Sequence, residues 1–461
     1  MVVFDTDYRE AYELLKGYIP IFSIFYIIYF LLLLGLYKLL FLIQLKYIKR
    51  FKFISFGSIF VVLIISCLQY GFTNPLESFK NEFEYKYPGY VFAAFHQYYF
   101  HSKLLRRYKI ETKNFYFHPY FLNNKDTSFR KVYVFLIGES SRYDHWHING
   151  YVRNTSTHLD TTRNLLSFHN VCAAGGLTEY SVPLLLCGLT PFHFIDHMKR
   201  KSLVSLFKEA GFKTYWISDQ TDYGNISVHK SEADSVFSLT TYYSSAHNYH
   251  NDKDLVDLLN SVLAKDTLSN LFIVIHMLGS HYNYSYRYPK SFSIFNPSDC
   301  KKIIDPTDYS YKFILTNAYD NSILYTDFLI NYAISILDKL RNTSCFLFYV
   351  SDHGENLFDD STHTVLHSTT PPSVYIAHVP IFIWFNDFYS HNYPNKILSL
   401  INNRFSSINA SDQVFYTISD MADIRFRGFK PELSFCSDLF VQNRHLILGG
   451  DGHFYYFPSF K

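Results

Sequence analysis

The chain has 461 residues, enough for one large domain or two smaller ones. A net charge of +2 and a pI near 8.0 leave no basic footprint for nucleic acid. Six cysteines without a CxxC pair exclude a zinc finger and a disulfide-dense scaffold, while the 20% aromatic content, much of it in the first quarter, fits a membrane interface.

Two apolar stretches come first, at about 18–43 and 53–74. Crossing the hydrocarbon core takes roughly 20 apolar residues, so both are predicted transmembrane helices. The first is too long, and too closely preceded by acidic residues, for a cleaved signal peptide. Between them Lys46, Lys49, Arg50 and Lys52 concentrate positive charge, which assigns this loop to the cytoplasm and the segment after about residue 73 to the outer side. Residues 75–130 mix Phe and Tyr with Lys and Arg. They read as interfacial helices broken near Pro88, or equally as an amphipathic linker packed on the soluble part, with an irregular connection over 110–130. This gives a transmembrane region 1–74, a linker 75–130 and a soluble domain 131–461.

From residue 131 strand-like and helix-like stretches alternate. The run 132–137 is continuous, apolar and β-branched, as a fully buried central strand requires. Helices are predicted over 178–186, 202–210, 254–264 and 317–340, with strands at FKTYWIS, LFIVIH, SCFLFYV and HVPIFIWF. The alternation implies an α/β fold with a mostly parallel sheet and helices on both faces.

Ligands bind just past the carboxyl ends of such strands. Glu139 follows the first strand, His276 and His281 the LFIVIH strand, and Asp352 and His353 the SCFLFYV strand; His363 and His367 precede HVPIFIWF, read as a fourth run of the same kind. Carboxylates and imidazoles gathered this way suit a divalent metal of borderline softness. Thr178 follows Gly175 and Gly176 at a helix N-terminus, where free N–H groups favour a phosphate. The same position fits a plain N-cap, and Ser181 is the rival nucleophile. His229, His247 and His250 have no such context and read as surface residues.

Taken together, IGESSRYDHWHINGYVRNTSTHLD, GGLTEYSVPLLL, HMLGSHYNYSYRYP, NAYDNSILYTDFL, SDHGENL and HVPIFIWF, in that order, resemble the phosphoethanolamine transferases of the bacterial envelope, in the alkaline phosphatase/sulfatase superfamily. The resemblance implies a doubly wound sheet of alkaline phosphatase type behind a short α-helical membrane region. It implies one tightly bound zinc ion on Glu139, Thr178, Asp352 and His353, with a second possible during turnover. Thr178 would be the nucleophile, His281 and His367 would act on the phosphoryl group, and the two glycines would admit phosphate close to the backbone. Implied partners are phosphatidylethanolamine as donor, a glycolipid or sugar acceptor of the lipopolysaccharide type, and the lipid bilayer. The implied location is the bacterial inner membrane, multi-pass, with the catalytic domain in the periplasm.

Thr6 and Glu10 match a donor-binding pair of the family, and His276 and His363 are further substrate-binding candidates. The chain begins where family members have already crossed the membrane several times, so it reads as N-terminally short. The family's disulfide across the nucleophile segment meets Ala174 and Leu184 here, with Cys172 and Cys187 flanking as a substitute pair. No CxPxR-type motif is present, which argues against a sulfatase. Phosphoglycerol transfer and an inactive envelope interaction module are the alternatives.

Overall fold

A computed structural model describes residues 89–122, 129–220, 224–239, 252–300, 303, 307–360, 363–367 and 369–460. The two apolar stretches, Thr6, Glu10, His247 and His250 lie outside the described residues. No helix among the described residues is long and apolar enough to cross a membrane. The chain divides into two compact units, 1–104 and 105–461. Of the first, the described part is the start of helix α1 (Gly89–Glu111), which exposes Phe95, Tyr98, Tyr99 and Phe100.

The second unit is built on a seven-stranded sheet. Its strands, in chain order, are β1 (Arg130–Gly138), β2 (Leu165–Phe168), β3 (Lys213–Ser218), β4 (Ser235–Ser238), β5 (Leu271–His276), β6 (Thr343–Ser351) and β7 (Ile381–Phe385). Across the sheet they run β2-β7-β6-β1-β5-β3-β4. β1 pairs in parallel with both β5 and β6, and β3 with β5 and β4. β7 is antiparallel to both its neighbours. The sheet is therefore mixed, and HVPIFIWF departs from expectation: Ile381 lies opposite Val350, so this strand starts, rather than ends, at the edge where the others finish.

β1 is buried throughout, which explains its unbroken apolar run. Alternate side chains serve two cores. Tyr133, Phe135 and Ile137 face one that includes helices α2 (Thr178–Cys187) and α3 (Leu203–Glu209). Val132, Val134 and Leu136 face the other, with α4 (Lys253–Lys265) and α5 (Lys312–Leu337). Each fully buried side chain of this kind contributes about 1.5–3 kcal/mol. α3 starts at Ser202, whose hydroxyl accepts from Val204 N–H, and α2 ends at Gly188 in the left-handed conformation (φ +63°).

Candidate active site

β1, β5 and β6 finish side by side, and the chain fills one flank of β1 with β3, β4 and β5 before crossing to β6 on the other. The crevice at that switch is where open α/β sheets bind ligands. β1 delivers Glu139 to it and β6 delivers Asp352 and His353. One ligand atom from each of these three buried residues lies within 4.8 Å of the others.

The turns that carry them are tied together. Ser140 stands at φ +56°, a strained conformation for a residue with a side chain. Its N–H donates to Asp352 Oδ1 (3.1 Å) and its hydroxyl to Glu139 Oε1 (2.7 Å). Asp352 Oδ1 also accepts from the His353 N–H at 2.7 Å. His353 Nδ1 lies 2.9 Å from the Gly354 carbonyl, which can only accept, so the proton sits on Nδ1 and the Nε2 lone pair points into the cluster. Nε2 is 3.3 Å from Asp352 Oδ2 and 3.5 Å from Glu139 Oε1. Asp352 Oδ2 is buried without a hydrogen-bond partner. A lone pair and two buried carboxylates turned toward one another form an arrangement that a cation completes, and the donor set fits zinc.

Thr178 reaches this cluster from the first turn of α2. Its hydroxyl donates to Glu139 Oε2 (3.1 Å) and lies 3.2 Å from His353 Nε2. The side chain is partly exposed, so it faces both the cluster and solvent. Ser181, the rival, is fully buried and donates to the Asp352 carbonyl at 2.6 Å, a structural contact. Gly175 is needed for a reason other than phosphate approach: a Cβ there would stand 2.7 Å from Tyr180 Cβ and 2.8 Å from Ser181 N. The first turn of α2 folds back onto it.

His367 and His281 flank the cluster. The His367 ring is 4.2 Å from that of His353 and 6.2 Å from that of His281. His281 Nδ1 is 2.7 Å from the Tyr282 carbonyl, leaving Nε2 as its open nitrogen. Gly279 (φ +48°) lets this loop pack on Glu139, since a Cβ would meet the Glu139 carbonyl at 2.8 Å. His367 rather than His363 belongs here. His363 is exposed and packs on Tyr309 instead. His276 is fully buried at the end of β5, beside Trp216, where it cannot touch a substrate. Burial lowers its pKa to about 4.

The charges at the site are uneven. Burial would raise the Glu139 carboxyl, but His353, His281 and His367 together hold it below the ordinary range. Burial, then the adjacent Glu139 charge, push Asp352 up to about 6. Burial alone would lower His367; the Glu355 carboxylate, 3.3 Å from Nδ1, overrides this and raises it to about 9.

Further contributors brace the site, Gln220 from outside the motif blocks and Tyr319, Asp320 and Asp327 from within NAYDNSILYTDFL. Gln220 donates to Glu139 Oε2 (3.1 Å) and to the Met277 carbonyl (2.9 Å), joining the β3 and β5 loops to the ligand. From α5, the Tyr319 hydroxyl donates to the Ser140 carbonyl and accepts from Arg142 N–H. Asp320 accepts from Tyr151 and Arg153 and lies 2.6 Å from His145 Nδ1. Asp327 accepts from the His158 and Leu159 N–H groups. Buried polar residues along a helix were the available signal.

Two expectations are corrected. His229 is buried, not at the surface, where it meets Cys187, His197 and Glu232. Cys172 and Cys187 do not pair: all five described cysteines are free thiols, Cys172 sitting in a core strand and Cys187 against the His229 ring.

The sheet, the switch-point crevice and the buried ligand cluster define the class. Residues 131–424 match the sulfatase family model, and the chain belongs to that family. Among curated proteins it is similar to phosphoethanolamine transferase EptC of Escherichia coli O18:K1:H7 (28% identity; 71% of this chain, 57% of that one). It is also similar to Kdo(2)-lipid A phosphoethanolamine 7''-transferase of Escherichia coli K12 (29%; 57% and 46%). The chain thus spans about half the length of the curated relatives it matches. Its fold is that of the crystallised C-terminal periplasmic domain of Escherichia coli EptC in complex with Zn (TM-score 0.63, 24% identity, 70% of this chain and 91% of that one). The integral membrane protein lipooligosaccharide phosphoethanolamine transferase A of Neisseria meningitidis also aligns (TM-score 0.60, 21% identity; 85% and 73%).

Proposed function

We propose that the chain is a zinc-dependent phosphoethanolamine transferase, moving phosphoethanolamine from phosphatidylethanolamine to a sugar or sugar-phosphate hydroxyl of a lipopolysaccharide-type acceptor. The observation that carries this reading is the Thr178 hydroxyl, within 3.2 Å of both Glu139 and His353 at a helix N-terminus. Its similarity to proteins named for that transfer supports it. Glu139, Thr178, Asp352 and His353 would hold the zinc, which when bound would acidify the threonine hydroxyl and polarise a phosphoryl oxygen.

Thr178 Oγ1 passes its proton to Glu139 Oε2 and attacks phosphorus. The bond to the diacylglycerol oxygen breaks, and that oxygen takes a proton from the His367 imidazolium. Phosphoethanolamine remains esterified to Thr178. The acceptor hydroxyl then attacks, gives its proton to neutral His367 and releases Thr178, which recovers its own proton. His281 and the N–H groups of α2 face the phosphoryl charge through both halves. The domain limits at 74 and 130, the two membrane helices and the periplasmic placement of residues 131–461 belong to the same reading.

The test is diacylglycerol release from a fluorescent phosphatidylethanolamine by the detergent-purified chain, with and without chelator, beside Thr178→Ala. Release that needs zinc and vanishes in the variant is expected. Release that persists in the variant would remove the threonine from the mechanism.

A further inference from the structure

The C-terminal hairpin, His445–Leu448 paired with Phe454–Phe457, turns aromatic side chains to the outside. Phe454 and Tyr456 are 43% and 49% exposed, while Tyr455 and Phe457 pack on the core. A solvent-facing strand ordinarily alternates the other way, with polar residues outward. Phe192, from the short helical segment Pro191–Lys199, packs at a tilt against Phe454 with ring centroids 4.6 Å apart and is itself 52% exposed. Ile195, in the same segment, is 79% exposed. The Arg444 guanidinium lies 4.5 Å over the Tyr456 ring. Exposed apolar side chains gathered in this way mark an interaction surface.

Its location narrows the partner. The hairpin is bonded to the segment that delivers the nucleophile: Gly176 N–H donates to the Leu448 carbonyl (2.9 Å) and Leu448 N–H to the Ala174 carbonyl (3.0 Å). Phe194, between Phe192 and Ile195, packs on Tyr180, two residues beyond Thr178. The patch therefore borders the approach to Thr178. Rings with an arginine at their rim suit the headgroup–acyl boundary of a bilayer. The same chain carries two apolar stretches, 18–43 and 53–74, each long enough to cross one. A phospholipid's phosphorus stays at headgroup level, so a nucleophile that attacks it must be brought there.

We propose that Phe192, Ile195, Phe454 and Tyr456 seat the catalytic unit on the headgroup–acyl boundary of a lipid bilayer, beside Thr178. This rests on the proposed lipid donor, yet its test needs no turnover. The chain has three tryptophans, Trp146, Trp216 and Trp384, exposed by 0%, 0% and 2%. A tryptophan added at the patch reports lipid contact over a shielded background. The full chain, carrying Ile195→Trp or Phe454→Trp, is reconstituted into phosphatidylcholine/phosphatidylglycerol vesicles with plain or brominated acyl chains. Leu268→Trp is the control, at a site 90% exposed just before β5, on the edge of the sheet opposite the crevice.

Brominated lipid should cut the added emission at 195 and 454 at least twofold and leave that at 268 nearly unchanged. Emission at either patch position that matches the control overturns the proposal. If that unquenched emission is also blue-shifted, a protein covers the patch instead. Quenching alongside a failed transferase assay would retain the docking surface and discard the reaction.

Discussion

Replacing Asp352 with Asn should reverse its effect on stability according to whether zinc is bound. In the metal-free protein this carboxyl is raised from 3.8 to about 6. About two pKa units correspond to about 3 kcal/mol. A raised carboxyl is destabilising only where it must be charged, so the penalty is absent below pH ~4 and complete above pH ~6. Asn removes the charge and keeps the fold's contacts. Its Oδ1 still accepts from Ser140 N–H and His353 N–H, and its amide, replacing Oδ2 at 3.3 Å from His353 Nε2, meets a lone pair. At pH 7 in chelator the variant should therefore melt above the wild type, by about 6 °C at roughly 2 °C per kcal/mol for a large domain. Zinc at a thousandfold over its Kd adds about 4 kcal/mol to the wild type and little to a variant lacking a ligand, so the order inverts. Differential scanning fluorimetry of the detergent-solubilised chain at pH 7, in EDTA and in zinc, reads both signs. An Asn variant that melts below wild type in EDTA would refute the argument from adjacent buried carboxylates.

Three further outcomes follow from the same geometry. Thr178→Ser should keep measurable transfer, whereas Thr178→Ala should lose on the order of 10⁴-fold, read as initial rates of diacylglycerol release. His367, raised chiefly by the Glu355 carboxylate, should give a rate that falls on the alkaline side as its imidazolium is lost. Glu355→Gln should move that alkaline limb down by at least about one pH unit in a full pH–rate profile. Gly354→Ala should cost about 3 kcal/mol and displace bound zinc, because the added Cβ would stand 2.0 Å from the Tyr375 carbonyl oxygen. Denaturant midpoints and metal analysis check the two parts.

The parallel strands and the ligands at their ends were legible because a doubly buried strand is unbroken in sequence and the residue after it is fixed by the end of the ladder. That pattern brought Glu139 and the Asp352–His353 pair together as candidates, and their assignment to zinc rested on the family resemblance. The direction of β7 was not legible, since an apolar run reads the same in either orientation. The choice between His363 and His367 depended on the left-handed turn at His363 and on Glu355, a buried carboxylate that sequence spacing does not connect to an imidazole twelve residues away. Gln220 was invisible because its partner, Glu139, is 81 residues distant. His229 read as a surface residue because its short helix is polar in sequence and its burial comes from α2 and Glu232.

The wide separation of the ligands along the chain carries a consequence for synthesis. Ser140 and Asp352, whose bond joins the two ligand turns, are 212 positions apart. A growing polypeptide holds Glu139 and Thr178 long before it has made the Asp–His half of the set. Under the proposed function, a chain that stops short of β6 lacks the Asp352–His353 half of the zinc set. In the proposed zinc enzyme, metal occupancy would then report that synthesis has run past β6.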